Sequence, residues 1–400
     1  MPADGETDLK ETVTEQVLLE RASNWYDELS SRADEIEQGR KLPQDIADRL
    51  AADGFYAMCN PPEWGGAGAS PLDYARTIET LARADASAAW CAFIATTAAY
   101  SMSFANTQAV QRLLQEPGVI AAGIFAPMGR ATPTVHEGVD GYVVNGRWAW
   151  GSGSQNAHWI SAGCFLADES GKIVPDEKGR PQHLSAIFAA DQLTFIDTWT
   201  VTGLQGTGST DFEVSDAFVP EDRIVRGLGT ARSDAPIFRF PAFGMLAIGI
   251  GAVALGAARG ALDDIYELAV GKVPAGSRSP LAEKSSTHRD VARAEAYLGQ
   301  GRAFLHEAID AAWHEAQSGA VPVALKRDLR LATTSAVESA KQSVDLIYEL
   351  AGGTAVYRTS PIQRRFRDVH VATQHMMVKQ QTYELAGRLF MNQPTDTSQL

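Results

Sequence analysis

The chain is poor in cysteine, short of positive charge and almost without long apolar runs. Its three cysteines among 400 residues, Cys59, Cys91 and Cys164, are scattered with no CxxC pair. That excludes a disulfide framework and a cysteine-rich zinc site, and suits a reducing cytoplasm. Lys and Arg number 35 against 49 Asp and Glu, a formal net charge of −14. Clustered cations of the kind that phosphates require are missing, which argues against nucleic acid or an anionic membrane as partner. The most apolar stretch, Pro241 to Arg259, is rich in Gly and Ala and lacks Leu/Phe density. It is at the short limit for a membrane span and is expected as a buried helix. The polar, acidic opening MPADGETDLKE has no basic segment and apolar run, so no signal peptide is expected.

Several chemical signatures are absent too. There is no G-x-S-x-G elbow and no H-E-x-x-H pair. His370 and His375 are five apart and diverge on a helix, while His306 and His314 carry no further ligand pattern, so no metal site is expected. Gly249-x-Gly251-x-x-Ala254 has the letters of a dinucleotide fingerprint but follows no β-branched strand. Gly249, Gly256 and Gly260 read better as small residues that let two bundle helices approach closely. No nicotinamide-binding Rossmann domain is visible.

What is present is an ordinary globular composition, 45% hydrophobic and 21% charged, in a length that suggests two or three domains. Val13, Val17, Leu18, Ala22, Trp25, Leu29, Ala33 and Ile36 recur at helical spacing. Pro and Gly interrupt at 60–68, and helical patterns resume over 71–84 and 87–104. Between about 118 and 225 the texture is β-rich. Gly141 to Trp150 reads as a hairpin about an Asn145-Gly146 turn, with Trp148 and Trp150 on one face of its second strand. Residues 183–189, 193–201 and 211–219 read as further strands of a sheet or barrel. Long helices follow. Leu325, Leu329, Ala332, Ala336, Ala340, Val344, Ile347 and Leu350 form an apolar stripe ending at Gly352-Gly353, and a last helix is expected from Ile362 to Met391. Helices, strands, helices is the order of an α+β protein in separate domains: an N-terminal helical domain over 1–117, a middle β domain over 118–228, and a C-terminal four-helix bundle over 229–400.

Four segments in this order resemble the acyl-CoA dehydrogenase superfamily. They are Pro62-Glu-Trp-Gly-Gly-Ala-Gly68, Gly141 to Gly153, Gly203-Leu-Gln-Gly-Thr-Gly-Ser-Thr-Asp211 followed by Phe218-Val-Pro220, and Ala351-Gly-Gly353 followed by Pro361-Ile-Gln-Arg-Arg-Phe-Arg-Asp368. Aligned on Arg367-Asp368, the dehydrogenases' catalytic Glu falls on Met376, and a thioether cannot abstract a proton. The preceding residue is His375, and the Trp199 to Ser209 run has the wording of the two-component flavin monooxygenases. The chain thus resembles that branch.

The resemblance implies a reduced flavin, supplied by a separate NAD(P)H-dependent reductase, and dioxygen that reacts through a C4a-peroxide to oxygenate an electron-rich aromatic or heteroaromatic ring, an indole-like one being an example that needs no activating base. It implies FAD, with FMN as the alternative. His375 and Ser152 take the catalytic places, Ser152 at the N5 edge. Trp150 and the backbone around Phe125 match flavin contacts. Lys272 and His288 fall near the adenosine end. Gly352 and Gly353 match the pair that admits a neighbouring subunit to the diphosphate, which implies a homo-oligomer, a tetramer. Trp90, Ala98 and Met376 fall by the substrate. Ala98 stands where several phenol hydroxylases carry a second His, so an indole-like ring fits better than a phenol needing deprotonation. The alternatives are an acyl-CoA dehydrogenase or oxidase with a relocated base, and a binding protein that holds no flavin.

Overall fold

The computed structural model describes residues 15–227 and 233–400. Val13, the opening segment and the expected division at 228/229 lie outside them. Seven helices come first: α1 (Glu15–Asn24), α2 (Tyr26–Ser31), α3 (Ala33–Gly39), α4 (Gln44–Ala52), α5 (Pro71–Ala84), α6 (Ala86–Ser103) and α7 (Gln108–Gln115). Ser70 caps α5 by accepting from the Asp73 N–H while the Asp73 side chain accepts from the Ser70 N–H, and Pro71 occupies the first turn. Asp85 caps α6. That helix is apolar all round and buried along nearly its whole length, as a central helix must be.

The middle region is one seven-stranded sheet: β1 (Ala121–His136), β2 (Val139–Gly151), β3 (Trp159–Leu166), β4 (His183–Ala189), β5 (Thr194–Ile196), β6 (Thr210–Pro220) and β7 (Ile224–Val225). Its order is β5-β6-β2-β1-β3-β4-β7, with β1 and β3 parallel and the other pairs antiparallel. The run at 193–201 forms strand only over Thr194–Ile196, because Thr198 and Trp199 turn away to hydrogen-bond the 204–211 loop.

The expected hairpin about Asn145-Gly146 does not exist. β2 passes straight through both residues, and the β1–β2 turn lies at Glu137-Gly138, both at positive φ. Gly146 serves a close approach instead: a Cβ there would lie 2.6 Å from Gly129 Cα and 2.7 Å from the Trp148 ring. Asn145 exchanges hydrogen bonds with Asp216, opposite a shift in the β2–β6 register. Trp148 and Trp150 do not share an environment either. Trp148 is fully buried, stacked on Phe212 and donating to the Gly163 carbonyl. A second register shift, between Trp148 and Gly151, rotates Trp150 out to φ 64° and 69% exposure.

The last region contains α8 (Ala242–Gly271), α9 (Ser285–Ser318), α10 (Val323–Ala351), α11 (Pro361–Ala372) and α12 (Gln381–Phe390). The first four form the bundle, and α12 packs on α10. α8 is long and apolar enough to cross a membrane, but 89% of its apolar window is buried inside the molecule. Of the three glycines expected to let bundle helices approach, Gly249 and Gly256 face α5 and α6 instead, and Gly260 faces both the Arg83 carbonyl of α5 and the Arg365 side chain of α11. A Cβ on Gly256 would lie 2.2 Å from the Glu79 carbonyl, and one on Gly249 2.4 Å from the Tyr74 hydroxyl. The α10 stripe is buried from Leu329 to Ile347, and Gly352 takes φ 53° as the helix ends. The helix expected from Ile362 to Met391 is broken into α11 and α12. The break has no Pro or Gly. It is made by side chains: Thr373 donates to the His370 carbonyl, and His375 Nδ1 accepts from the Met377 N–H, closing a short 3-10 turn over Met376–Val378.

Candidate active site

Three elements meet around Trp90. β2 delivers Ser152 just past the Trp150 bulge, α6 delivers Trp90, and the turn between α11 and α12 delivers His375. The Trp90 indole N–H donates to Ser152 Oγ at 3.1 Å. The rings of Trp90 and His375 meet edge to face at 6.0 Å. Ser152 Oγ lies 2.6 Å from Ser209 Oγ, which lies 2.7 Å from Thr207 Oγ1. Thr207 in turn donates to the Leu204 carbonyl at 2.8 Å. Leu204 adopts φ 50°, and its N–H is held at 2.6 Å by the buried Asp368 carboxylate. Burial pushes Asp368 up to about 7, while the Leu204 N–H holds it down.

His375 is partly buried. Desolvation first, then the charges of Arg330 and Lys379, push its imidazole down to about 4. It is therefore neutral at working pH. With Nδ1 accepting from Met377, the proton is assigned to Nε2, which leaves an N–H donor. The turn is fixed from behind by Arg330 of α10, which donates to the Met377 carbonyl at 3.0 Å and to the Gln399 carbonyl.

Two clefts lie along α6. The larger holds about 850 Å³ of space open to solvent, between α6 (Ile94, Ala98), β1 (Phe125), β4 (His183) and α8 (Phe243, Leu246). Phe125 is brought there by a β1 bulge between Ile124 and Gly129, and it meets Phe243 edge to face at 5.1 Å. The smaller, about 220 Å³, runs past Cys91 and Ala95 to Ser152. Among the described residues lining either cleft there is no Asp or Glu.

This geometry unites Trp90, Ser152 and His375, and it sets Ala98 and Phe125 together in the larger cleft. Lys272 joins Gly352 at a separate corner, donating to the Ala351 carbonyl and to Thr354 Oγ1. His288 is exposed, with Nε2 2.6 Å from the Ala282 carbonyl. Met376 is 58% exposed and lines neither cleft. Sequence reasoning missed Thr207, Ser209, Asp368 and Arg330. A signal existed for three of these residues: Thr207 and Ser209 are hydroxyls flanking Gly208, and Arg330 directly follows the stripe residue Leu329.

The sequence from 12 to 116 matches the model of the acyl-CoA dehydrogenase N-terminal domain, and 248–380 matches that of its C-terminal domain. The indole-3-acetate monooxygenase of Pseudomonas putida is 33% identical over 363 residues, covering 90% of each chain. The chain belongs to the flavin-dependent monooxygenase branch of the acyl-CoA dehydrogenase superfamily. The oxygenase subunit HsaA, a flavin-dependent monooxygenase of Rhodococcus jostii, is 29% identical to this oxygenase, covering 87% of it and 91% of HsaA. The crystal structure of the HsaA monooxygenase from M. tuberculosis superposes with a TM-score of 0.84 at 26% identity, over 96% of this chain and 99% of that one.

Proposed function

We propose that this chain is the oxygenase component of a two-component system. It takes reduced FAD from a separate NAD(P)H-dependent flavin reductase and uses dioxygen to oxygenate an electron-rich, indole-like heteroaromatic. The observation that carries this reading is the Trp90–Ser152–His375 cluster: a neutral histidine meets the Trp90 ring, and the Trp90 indole N–H holds a serine oxygen at the end of an apolar cleft that lacks a carboxylate. A dehydrogenase needs a carboxylate base in that place; this lining offers none.

The residues fit a flavin. An indole exposed at Trp150, a hydroxyl at Ser152 with an unused lone pair, and a Gly353 whose Cβ would meet nothing within 4 Å leave room for a flat ring and its tail. Bound reduced flavin would supply the two electrons that activate dioxygen. The chain supplies the rest. Ser152 would hold the ring edge, Trp150 and Phe125 its apolar surface, and Lys272 and the Gly352–Gly353 turn, with His288 nearby, the far end. His375 would donate a hydrogen bond from Nε2 to negative charge developing on oxygen, which costs least when the donor is already oriented. Apolar walls from α6 and α8 would keep water away. Ala98 leaves the substrate without a base on α6, which suits a ring rich enough in electrons to react undeprotonated.

The protein works in this reading as a homotetramer in the cytoplasm, where reductase and reduced nicotinamide are found, and its three functional regions divide near residues 117 and 228. The test is incubation of the chain with a flavin reductase, NADH, FAD and a panel of indoles, phenols, thiophenes and amines, read by mass spectrometry. A single added oxygen atom, derived from labelled O2, is the expected result with an indole. Bleaching of oxidised flavin by an acyl thioester, with no oxygenated aromatic product, would sink the reading.

A further inference from the structure

We infer that the buried hydroxyls of Thr207 and Ser209 fix Ser152 as a hydrogen-bond acceptor, and that this makes the site select reduced over oxidised flavin. The inference rests on the flavin reading above. The row of bonds runs Trp90, Ser152, Ser209, Thr207, Leu204. Both ends have a fixed sense. The Trp90 indole N–H can only donate, and the Leu204 carbonyl can only accept. Each hydroxyl between them carries one hydrogen. Thr207 spends its hydrogen on Leu204 at 2.8 Å, so Ser209 must donate across the 2.7 Å gap to Thr207. Ser209 then has none left, so Ser152 must donate across the 2.6 Å gap to Ser209.

Any other arrangement leaves two oxygens facing each other at hydrogen-bond distance with no hydrogen between them. All three hydroxyls are buried, with Ser152 the most open at 7% exposure, so water does not repair such a break. Ser152 therefore accepts from Trp90, donates to Ser209, and keeps one lone pair. The N5 atom of a reduced flavin carries an N–H and can donate to that lone pair. The N5 atom of an oxidised flavin has only a lone pair of its own and is repelled. The two redox states are thus told apart by hydroxyls one and two residues along the row behind Ser152, which do not touch the ring. Asp368 keeps the far end steady by holding the Leu204 N–H in its left-handed turn.

Thr207→Val and Ser209→Ala each free a hydrogen, which Ser152 can then turn toward N5. The measurement is equilibrium binding of oxidised FAD, and of reduced FAD under anaerobic conditions, to the full chain. Wild type should favour the reduced form by about tenfold or more. In both variants oxidised FAD should bind more tightly and the ratio fall about tenfold. The midpoint potential of the bound flavin should drop by about 30 mV for that tenfold change. Thr207→Ser keeps the hydroxyl and should keep the wild-type ratio, which controls for packing. An unmoved ratio and potential in a folded Thr207→Val or Ser209→Ala protein overturns the inference. A wild type that binds neither form overturns the flavin reading instead, so the two failures are distinguishable.

Discussion

At His375 the imidazole loses its proton near pH 4 and not near 6.5, so between these values the unfolded chain binds a proton that the folded ring refuses. The sign follows: stability is full above about 6.5, and falls as pH drops through that window toward 4. Equilibrium unfolding of His375→Asn should lose this segment of the pH dependence. The same neutrality sets the chemistry. Product formation should show no inflection near pH 6.5 from this residue. His375→Ala should slow oxygenation by about 100-fold, the usual cost of one preorganised donor, while hydrogen peroxide released per NADH rises. Coupling that stays at the wild-type value in His375→Ala would remove the histidine from the mechanism.

Among the elements, α8 makes the most extensive contact between the N-terminal helices and the bundle, and its glycines decide whether it can. A Cβ on Gly256 would strike the Glu79 carbonyl and the Arg83 nitrogen, backbone atoms that cannot step aside. Gly256→Ala should therefore cost about 3 kcal/mol by overpacking, measured by chemical denaturation. Gly299→Ala on α9, with nothing within 4 Å, should gain about 1 kcal/mol from helix propensity. The helical patterns of α5 and α10 were legible in the sequence because burial repeats with the helix period, and α8 was legible as an unbroken run of small apolar residues. The hairpin at Asn145-Gly146 was misread because a turn and a close approach ask for the same glycine. Only the partner, here the Trp148 ring against Gly129, tells them apart. The break at 373–380 left no mark at all, since Thr373 and His375 act through side-chain bonds that a helix would also allow in sequence. His375 was found by resemblance. Its neutral state, and the direction of the hydrogen bonds in the hydroxyl row behind Ser152, are properties of packing and could not be read from residue order.

For the whole molecule, the Gly352–Gly353 corner lies apart from Ser152, and exposed Val356 and Tyr357 stand beside it. If a second subunit covers that corner, charge placed there should weaken assembly and flavin binding together. Tyr357→Asp should lower the mass seen by light scattering and raise the Kd for FAD, with His375 and Ser152 intact. A change in one of these without the other would separate the assembly from the cofactor site.

The outward rotation of Trp150 also makes the site optically addressable. Trp148, two residues earlier, is sealed from solvent, whereas Trp150 faces water at 69% exposure. Its emission belongs to the red edge of the tryptophan spectrum, and it stands two residues from Ser152. Filling of the site should quench that red component first, and Trp150→Phe should abolish the signal, which turns one irregular strand residue into a built-in fluorophore for timing flavin arrival from the reductase.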